Sequence, residues 1–260
     1  MKVALLQYDI VQNDATANMA KVDALTATLP PVDLVVMPEM FHCGYTMDRA
    51  QMIGPQQSAV SDWMQARAQA LGATLMAGVA VQDADGKCFN RLMCIGPDGT
   101  RTHYDKRHLF RLGTESSVYT AGRRRTVVEV GGVRCLMQIC YDVRFPVWSR
   151  NRGDYDAAVY VSNWPTARID TLLALLKARA IENQCYVIGV NRTGKADCVG
   201  YPGLSTVFEP LGRIVAQAAA DTECALVADI DMEPLQGLRS KFNVLADADE
   251  FCIDDKQKNI

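Results

Sequence analysis

Short apolar runs and amphipathic segments alternate along most of this chain. Three runs are almost entirely apolar, which is typical of strands buried on both faces, and they lie at residues 34–37, 157–162 and 186–190. Three other segments repeat apolar residues at helical spacing, and they lie at residues 19–29, 63–71 and 169–183. This alternation of strands and helices predicts an α/β fold.

The middle of the chain has the pattern of antiparallel hairpins instead. Asp85-Gly86 and Pro97-Asp98-Gly99 are turn sequences on either side of a strand predicted at residues 88–95. Gly131-Gly132 similarly precedes a run at residues 133–140, in which side chains alternate between two faces. A core of two sheet layers covered by helices accommodates both the hairpins and the helices.

The chain shows no sign of division into several domains. About 49% of its 260 residues are hydrophobic, which is ample for one substantial core. No linker rich in Gly, Pro or Ser interrupts residues 1–240, so we predict a single domain there. Residues 241–260 form an acidic tail with few apolar side chains. The tail is predicted either to be disordered or to lie across a partner subunit.

Charge and cysteine content narrow the classes of partner. The formal net charge is −3 and no basic stripe is concentrated, so neither nucleic acid nor an anionic membrane is an expected partner. Nine cysteines, an odd number without a CxxC pair, suggest reduced thiols in the cytoplasm rather than a disulfide framework. The first apolar run, residues 1–7, is too short for a membrane span. It is predicted to be the first strand.

Three candidate functional residues each come at the end of a predicted strand. Glu39 follows residues 34–37, Lys106 follows the strand at residues 100–104, and Cys140 ends the run at 133–140. Each residue also has an ordinary structural interpretation: a helix-capping carboxylate, a solvated charged run, and a small buried apolar side chain. However, α/β folds collect their functional sites at the carboxyl ends of strands.

The three residue types together suit acyl transfer. A cysteine can attack a carbonyl or nitrile carbon and form a thioester, which divides one difficult hydrolysis into two easier steps. A thiolate there would be favoured by Lys106 and by backbone N–H groups of the turn that leads to Pro146. A glutamate can take the thiol proton, pass it to departing ammonia and then activate water. A lysine can hold the oxyanion together with the backbone N–H after the cysteine, which belongs to Tyr141.

Three blocks of sequence resemble the signatures of the nitrilase, or carbon–nitrogen hydrolase, superfamily. They are Pro38-Glu39-Met40-Phe41, the segment 104–110 (YDKRHLF) and the segment 139–146 (ICYDVRFP). Their order and spacing match, and the resemblance covers residues 1 to about 239. It implies that Glu39, Lys106 and Cys140 form the catalytic triad. It also implies that Glu115 orients Lys106 and assists proton transfer.

The same resemblance implies a fold and a substrate. The fold is an αββα sandwich of two mixed sheets covered by helices, which pairs into an αββα–αββα homodimer. The segments 140–151 (CYDVRFPVWSRN) and 162–165 (SNWP) are most similar to the bacterial omega-amidase branch. That branch hydrolyses the terminal amide of 2-oxoglutaramate or 2-oxosuccinamate to ammonia and a 2-oxo dicarboxylate.

A substrate of this kind carries a carboxylate at the end remote from its amide. The guanidinium of Arg144 or of Arg168 would suit that carboxylate, since its planar fork of N–H donors matches two oxygens. Arg144 also has a structural alternative, in which it pairs with a nearby acid to hold the turn. Trp164 and Tyr45 would pack against the short carbon chain between the polar ends.

The sequence predicts no metal and no organic cofactor, because His42, His103 and His108 are not spaced as ligands and no nucleotide motif is present. Two alternatives to an omega-amidase stay open. One is a nitrilase or N-carbamoyl-amide hydrolase of the same superfamily. The other is a noncatalytic scaffold or interaction protein that uses the same fold.

Overall fold

The computed structural model describes residues 1–48 and 56–253, and their core is built from two six-stranded sheets. The strands are β1 (Lys2–Gln7), β2 (Leu34–Met37), β3 (Thr74–Gln82), β4 (Cys88–Ile95), β5 (Arg101–Asp105), β6 (Val127–Val130), β7 (Val133–Ile139), β8 (Ala157–Ser162), β9 (Tyr186–Asn191), β10 (Thr193–Ala196), β11 (Val199–Pro202), β12 (Thr206–Phe208), β13 (Ile214–Gln217) and β14 (Cys224–Asp229). The α-helices are α1 (Ala15–Thr26), α2 (Gln56–Leu71), α3 (Glu115–Val118), α4 (Pro146–Ser149), α5 (Ile169–Glu182) and α6 (Met232–Lys241).

Both large sheets are mixed and share one plan. The first has the strand order β14-β1-β2-β3-β4-β5, and the second has the order β13-β12-β9-β8-β7-β6. Strands β1, β2 and β3 run parallel in the first sheet, and β7, β8 and β9 run parallel in the second. The other pairings are antiparallel. The two mixed sheets predicted from the sequence are therefore confirmed.

Alternation of side chains along β1 shows how the layers stack. Val3 and Leu5 belong to an apolar cluster that also contains residues of the second sheet, so this face lies between the sheets. Ala4 and Leu6 point the other way and pack with α1 and α2. Helix α5 covers the second sheet, where Leu176 lies so close to Gly189 that a Cβ there would approach it to 2.5 Å. The resulting order is helix, sheet, sheet, helix.

Some local features differ from the sequence predictions. The helical segment predicted at residues 19–29 belongs to α1, which ends at Thr26 and is capped by Asp14, whose side chain accepts the N–H of Ala17 at 2.9 Å. The small β10–β11 hairpin was not predicted. Helix α3 was not predicted either, and Glu115 at its start is fully buried.

The first residues of the acidic tail contact the rest of the same chain. The Gln184 side chain donates to the carbonyl of Phe242 at 2.5 Å and accepts the N–H of Val244 at 3.2 Å. Residues 49–55, and residues 254–260 of the predicted tail, lie outside the described residues. Within the described ranges, no helix has the length and apolar character needed to cross a membrane.

Candidate active site

An open cavity of about 820 Å³ brings most of the predicted site residues together. Its lining includes all three residues of the predicted triad and all four predicted substrate-binding residues, together with Tyr141: Glu39, Tyr45, Lys106, Cys140, Tyr141, Arg144, Trp164 and Arg168. Glu115 does not line the cavity, but its side chain lies directly behind Lys106. Residues from both sheets therefore meet in one place.

Glu39 lies just past the end of β2, in a tight contact with the neighbouring strand. A Cβ on Gly78 of β3 would lie 2.5 Å from the Cα of Glu39, so only glycine allows this approach. The Glu39 carboxylate is fully buried. One of its oxygens accepts from Lys106 Nζ at 2.8 Å, and the other accepts the backbone N–H of Asn163 at 3.0 Å.

Lys106 is held between two carboxylates. Its Nζ lies 2.8 Å from Glu39 Oε1 and 3.0 and 3.1 Å from the two oxygens of Glu115. Burial alone would lower the pKa of Lys106, but the two carboxylates outweigh this and hold its pKa well above the ordinary value. The side chain is therefore a fixed positive charge at neutral pH.

Two buried asparagines that sequence reasoning missed complete this cluster. Asn90 Nδ2 donates to Glu39 at 2.7 Å and to Glu115 at 2.8 Å. Asn163, just past β8, also donates its side-chain N–H to the backbone carbonyl of Glu39 at 2.7 Å. A signal for Asn90 was present, because it is the one amide among the inward positions of β4, which otherwise alternate as apolar residues.

Cys140 begins a 3-10 turn rather than ending a strand. Strand β7 stops at Ile139, and Cys140 has a φ of 45°, a conformation that is rare outside glycine and recurs at functional sites. The strand that leads to it is buried on both faces over most of its length.

The thiol of Cys140 is not the stabilised thiolate that the sequence suggested. Burial raises the pKa of Cys140 well above its ordinary value, and the Glu39 carboxylate raises it further. The Lys106 ammonium and the backbone N–H of Asn163 lower the pKa of this thiol, but they do not compensate. At neutral pH the resting side chain is a thiol, so its attack requires a neighbouring base.

Asp142 connects the turn of Cys140 to the loop that carries Lys106. One oxygen of its buried carboxylate accepts the backbone N–H of Ile139 at 3.1 Å and the hydroxyl of Tyr104 at 2.8 Å. The other oxygen accepts the backbone N–H of His108 at 3.0 Å and lies 2.8 Å from its Nδ1. Sequence reasoning gave Asp142 no role, although it follows Cys140 by two residues just as His108 follows Lys106.

The two arginines predicted to recognise a carboxylate lie over aromatic rings of the cavity. The Arg144 guanidinium is 5.3 Å from the Trp164 ring, and that of Arg168 is 5.6 Å from the Phe110 ring. Within residues 1–48 and 56–253, neither is paired with an acidic side chain. The structural alternative for Arg144, an ion pair with a nearby acid, is therefore not observed in this part of the chain.

Tyr45 contributes a phenol ring to the cavity wall. The ring centre lies 5.9 Å from Lys106 Nζ, and the hydroxyl is buried with no hydrogen-bond partner among the described residues. Burial, reinforced by the carboxylate of Glu115, raises the pKa of Tyr45, so the phenol is neutral at working pH.

Across the described ranges, no group of three or more His, Cys, Asp or Glu side chains is arranged to hold a metal ion.

Comparison with known proteins gives consistent matches along the whole chain. The model of the carbon-nitrogen hydrolase family matches residues 2–240. The chain is 44% identical to the omega-amidase YafV of Yersinia enterocolitica, over 97% of this chain and 98% of the relative. It is 30% identical to the 2-oxoglutaramate amidase of Bacillus subtilis (strain 168), over 94% and 96% of the two chains.

A solved structure shows the same fold at similar coverage. XC1258 of Xanthomonas campestris is a CN-hydrolase superfamily protein with an arsenic adduct in its active site. It is 35% identical to this chain and superimposes with a TM-score of 0.92, covering 98% of this chain and 99% of that one. The αββα arrangement of the two sheets is thus shared with this CN-hydrolase superfamily protein.

Proposed function

The chain belongs to the carbon–nitrogen hydrolase family, and from this premise we propose that it hydrolyses the terminal carboxamide of a small 2-oxo acid. The family makes it a hydrolase that acts on carbon–nitrogen bonds. The observation that carries the narrower proposal is one cavity that contains Glu39, Lys106 and Cys140 together with the guanidinium groups of Arg144 and Arg168. Substrates such as 2-oxoglutaramate or 2-oxosuccinamate have the matching amide and carboxylate.

The first half of the proposed reaction forms a thioester and releases ammonia. Glu39 takes the proton of the Cys140 thiol as the sulfur attacks the amide carbon, so no free thiolate is needed beforehand. The carbonyl oxygen becomes an oxyanion, which Lys106 Nζ and the backbone N–H of Tyr141 stabilise. Glu39 then gives the proton to the nitrogen, the carbon–nitrogen bond breaks, and ammonia leaves.

The second half of the reaction returns the enzyme to its starting state. Glu39 takes a proton from water, and the resulting hydroxide attacks the thioester carbon. The same two donors stabilise the second oxyanion, and Glu39 returns its proton to the departing sulfur as the carbon–sulfur bond breaks. The products are a dicarboxylate and the Cys140 thiol. Glu115 orients Lys106 throughout, which its contacts of 3.0 and 3.1 Å to Nζ support.

The carboxylate of the substrate binds an arginine at the far side of the cavity. Arg144 and Arg168 both suit this role, because each lines the cavity and its guanidinium lies over an aromatic ring there, with a planar fork of N–H donors that matches a carboxylate. Trp164 and Tyr45 pack against the carbon chain between the two polar ends of the substrate. An amide of equal length without the carboxylate would lose these contacts with arginine.

The test is ammonia release from a panel of substrates. We expect wild-type protein to hydrolyse 2-oxoglutaramate faster than simple nitriles, N-carbamoyl amino acids, or an amide of similar length without a carboxylate. Loss of the charge-assisted contact in Arg144→Ala or Arg168→Ala should lower kcat/KM by roughly ten- to a hundred-fold, or about 1.5–3 kcal/mol, for the carboxylate-bearing amide alone.

Four outcomes would contradict the proposal at different levels. Equal rates with and without the carboxylate would exclude the 2-oxo acid amide. Preference for a nitrile or an N-carbamoyl compound would favour another member of the superfamily. Full ammonia release by Cys140→Ala would exclude Cys140 as the nucleophile, and no release from any substrate would favour a noncatalytic scaffold.

We further propose that the protein works in the cytoplasm as a homodimer or higher homo-oligomer, without a nucleic-acid or membrane partner. Nine free cysteines and the absence of any disulfide among the described residues support the reducing compartment. Residues 1–240 would form the hydrolase domain, and the acidic tail, 241–260, would cross to the second subunit. Sedimentation at micromolar concentration tests the assembly, and a monomer would contradict it.

A further inference from the structure

The buried cluster behind the cavity carries two carboxylates but one ammonium. The side chains of Glu39 and Glu115 are fully buried, and Lys106 between them is 1% exposed. When neighbouring carboxylates lack enough donors, they tend to share one proton. A proton held in this way would occupy the oxygen with which Glu39 must accept the proton of Cys140. Other groups must therefore favour ionisation of both carboxylates.

The other titratable groups that face the two carboxylates do not supply a second positive charge. They are the Cys140 thiol and the phenols of Tyr45, Tyr119 and Tyr201. Burial raises the pKa of each of these groups, so they stay neutral at working pH. Hydrogen-bond donors must supply the remaining stabilisation.

Asn90 supplies a donor to both carboxylates at once. Its buried Nδ2 lies 2.7 Å from Glu39 Oε1 and 2.8 Å from Glu115 Oε1, so the two hydrogens of one amide serve the two acids. The backbone carbonyl of Asn90 accepts the N–H of Lys106 at 2.9 Å, which fixes this amide beside the ammonium. Three groups of the cluster are therefore held by one residue of β4.

The orientation of the Asn90 amide is determined by the charge of its neighbours. Its Oδ1 has no hydrogen-bond partner in the described part of the chain. Rotation of the amide by half a turn would place Oδ1 against two carboxylate oxygens. An ionised carboxylate only accepts hydrogen bonds, so the observed orientation matches two ionised glutamates.

We propose that Asn90 is a positioning residue that keeps Glu39 and Glu115 ionised side by side, so that Glu39 is available as the base. This inference rests on the proposed function for the role of Glu39, but the charge state of the two acids can be measured without turnover. A residue that only supported the fold would have no effect on that charge state.

The test compares Asn90→Asp and Asn90→Leu with wild type. Asn90→Asp places a third carboxylate in the cluster. Asn90→Leu removes both N–H donors and keeps a side chain of similar size at this position. In each variant we expect one glutamate to retain a proton. The acid limb of the pH profile of kcat/KM should then shift to higher pH by about one pH unit or more. On that limb kcat/KM falls at least tenfold at a given pH. At higher pH kcat/KM should recover.

Infrared difference spectra of protein with ¹³C-labelled glutamate provide the readout that does not need activity. The protonated carboxyl band should be present at neutral pH in Asn90→Leu and missing in wild type. If wild type releases no ammonia from any amide, the proposed function fails, but this band still decides the role of Asn90. Should one variant fail to fold, the other gives the same comparison.

Asn151→Asp is the matched control. Asn151 is equally buried, and its Nδ2 also donates twice, to the carbonyls of Tyr155 at 3.0 Å and Asn183 at 2.9 Å, but it contacts no carboxylate. This substitution should lower the Tm without moving the pH profile or the infrared band. An unchanged acid limb and no new band in both Asn90 variants would overturn the proposal, even if their turnover fell.

Discussion

Lys106 is the residue at which the proposed catalytic role and the stability of the fold are most closely connected. If its surroundings are ignored, Lys106→Gln is expected to lower turnover far more than stability, because glutamine fills the space of lysine. The structure changes that prediction, since the ammonium separates two buried carboxylates. We now expect a loss of about 3–5 kcal/mol in the free energy of unfolding, because breaking a buried ion pair leaves uncompensated charge. Urea denaturation measures this loss.

The double variant Lys106→Gln/Glu115→Gln separates the two effects. It removes one negative charge together with the positive one, so part of the lost stability should return. Activity should not return, because the oxyanion still lacks a donor whose loss typically lowers kcat by about 10²–10³. A double variant no more stable than the single one would show that the carboxylates are not the cause.

Individual site residues were predictable to the extent that their chemistry differs from their surroundings. Three reactive side chains lie at strand ends and are therefore clear candidates in the sequence: Glu39, Lys106 and Cys140. Asn90 and Asp142 act through other residues, and their side-chain types are common in turns and loops. What distinguishes them is burial beside charge, which only the folded structure provides.

At the scale of elements, the contact between β2 and β3 positions the proposed base. A Cβ on Gly78 would come within 2.5 Å of the Glu39 Cα and 2.8 Å of the Met40 nitrogen, and backbone atoms cannot move aside cheaply. Gly78→Ala should therefore lower stability by about 1–3 kcal/mol and displace Glu39. We expect a lower Tm and a lower kcat, measured by thermal unfolding and ammonia release.

Gly237→Ala is the matched substitution at a glycine without close neighbours. Gly237 lies within α6, and a Cβ there meets nothing within 4 Å. Alanine should raise stability by about 0.5–1 kcal/mol through its higher helix propensity and leave kcat unchanged. If Gly78→Ala behaved like Gly237→Ala, the close approach would not matter for the position of Glu39.

Elements were predictable where pattern and burial agree. The continuous apolar runs at β2, β8 and β9 gave strands in the right places, because parallel central strands are buried on both faces. The β10–β11 hairpin was missed because it is short and half-exposed, so its residues show no clear alternation. Helix α3 was missed because it is a single turn of four residues within a polar segment.

At the scale of the molecule, the site exists only where the two sheets meet. The first sheet supplies Glu39 and Lys106, and the second supplies Cys140 and Asn163. These residues are separated by up to 124 positions along the chain. Strand patterns predict each sheet locally but contain no information on how two sheets face each other. The grouping of the triad was therefore available from the family resemblance and not from periodicity.

The distribution of thiols predicts how stability of the whole molecule depends on pH. Burial raises the pKa of Cys43, Cys94 and Cys185 to about 12 each, and also raises the pKa of Cys135 and Cys140. In the unfolded chain these thiols titrate near about 8.5. Between these values the unfolded state loses protons that the folded state keeps, so stability falls as pH rises. The stability is fully retained at pH values below the pKa of these thiols in the unfolded chain.

The pH range suited to measuring this effect lies below the pH at which tyrosines of the unfolded chain ionise, near about 10. From about pH 7.5 to about 9.5, each buried thiol should cost roughly 1 kcal/mol, so five together lower the free energy of unfolding by several kcal/mol. Urea denaturation under reducing conditions measures this slope. Cys185→Ala should reduce the slope by about one fifth, whereas Cys198→Ala, at an exposed position, should leave it unchanged. A constant free energy of unfolding across this window would mean that the thiols ionise equally in the folded protein.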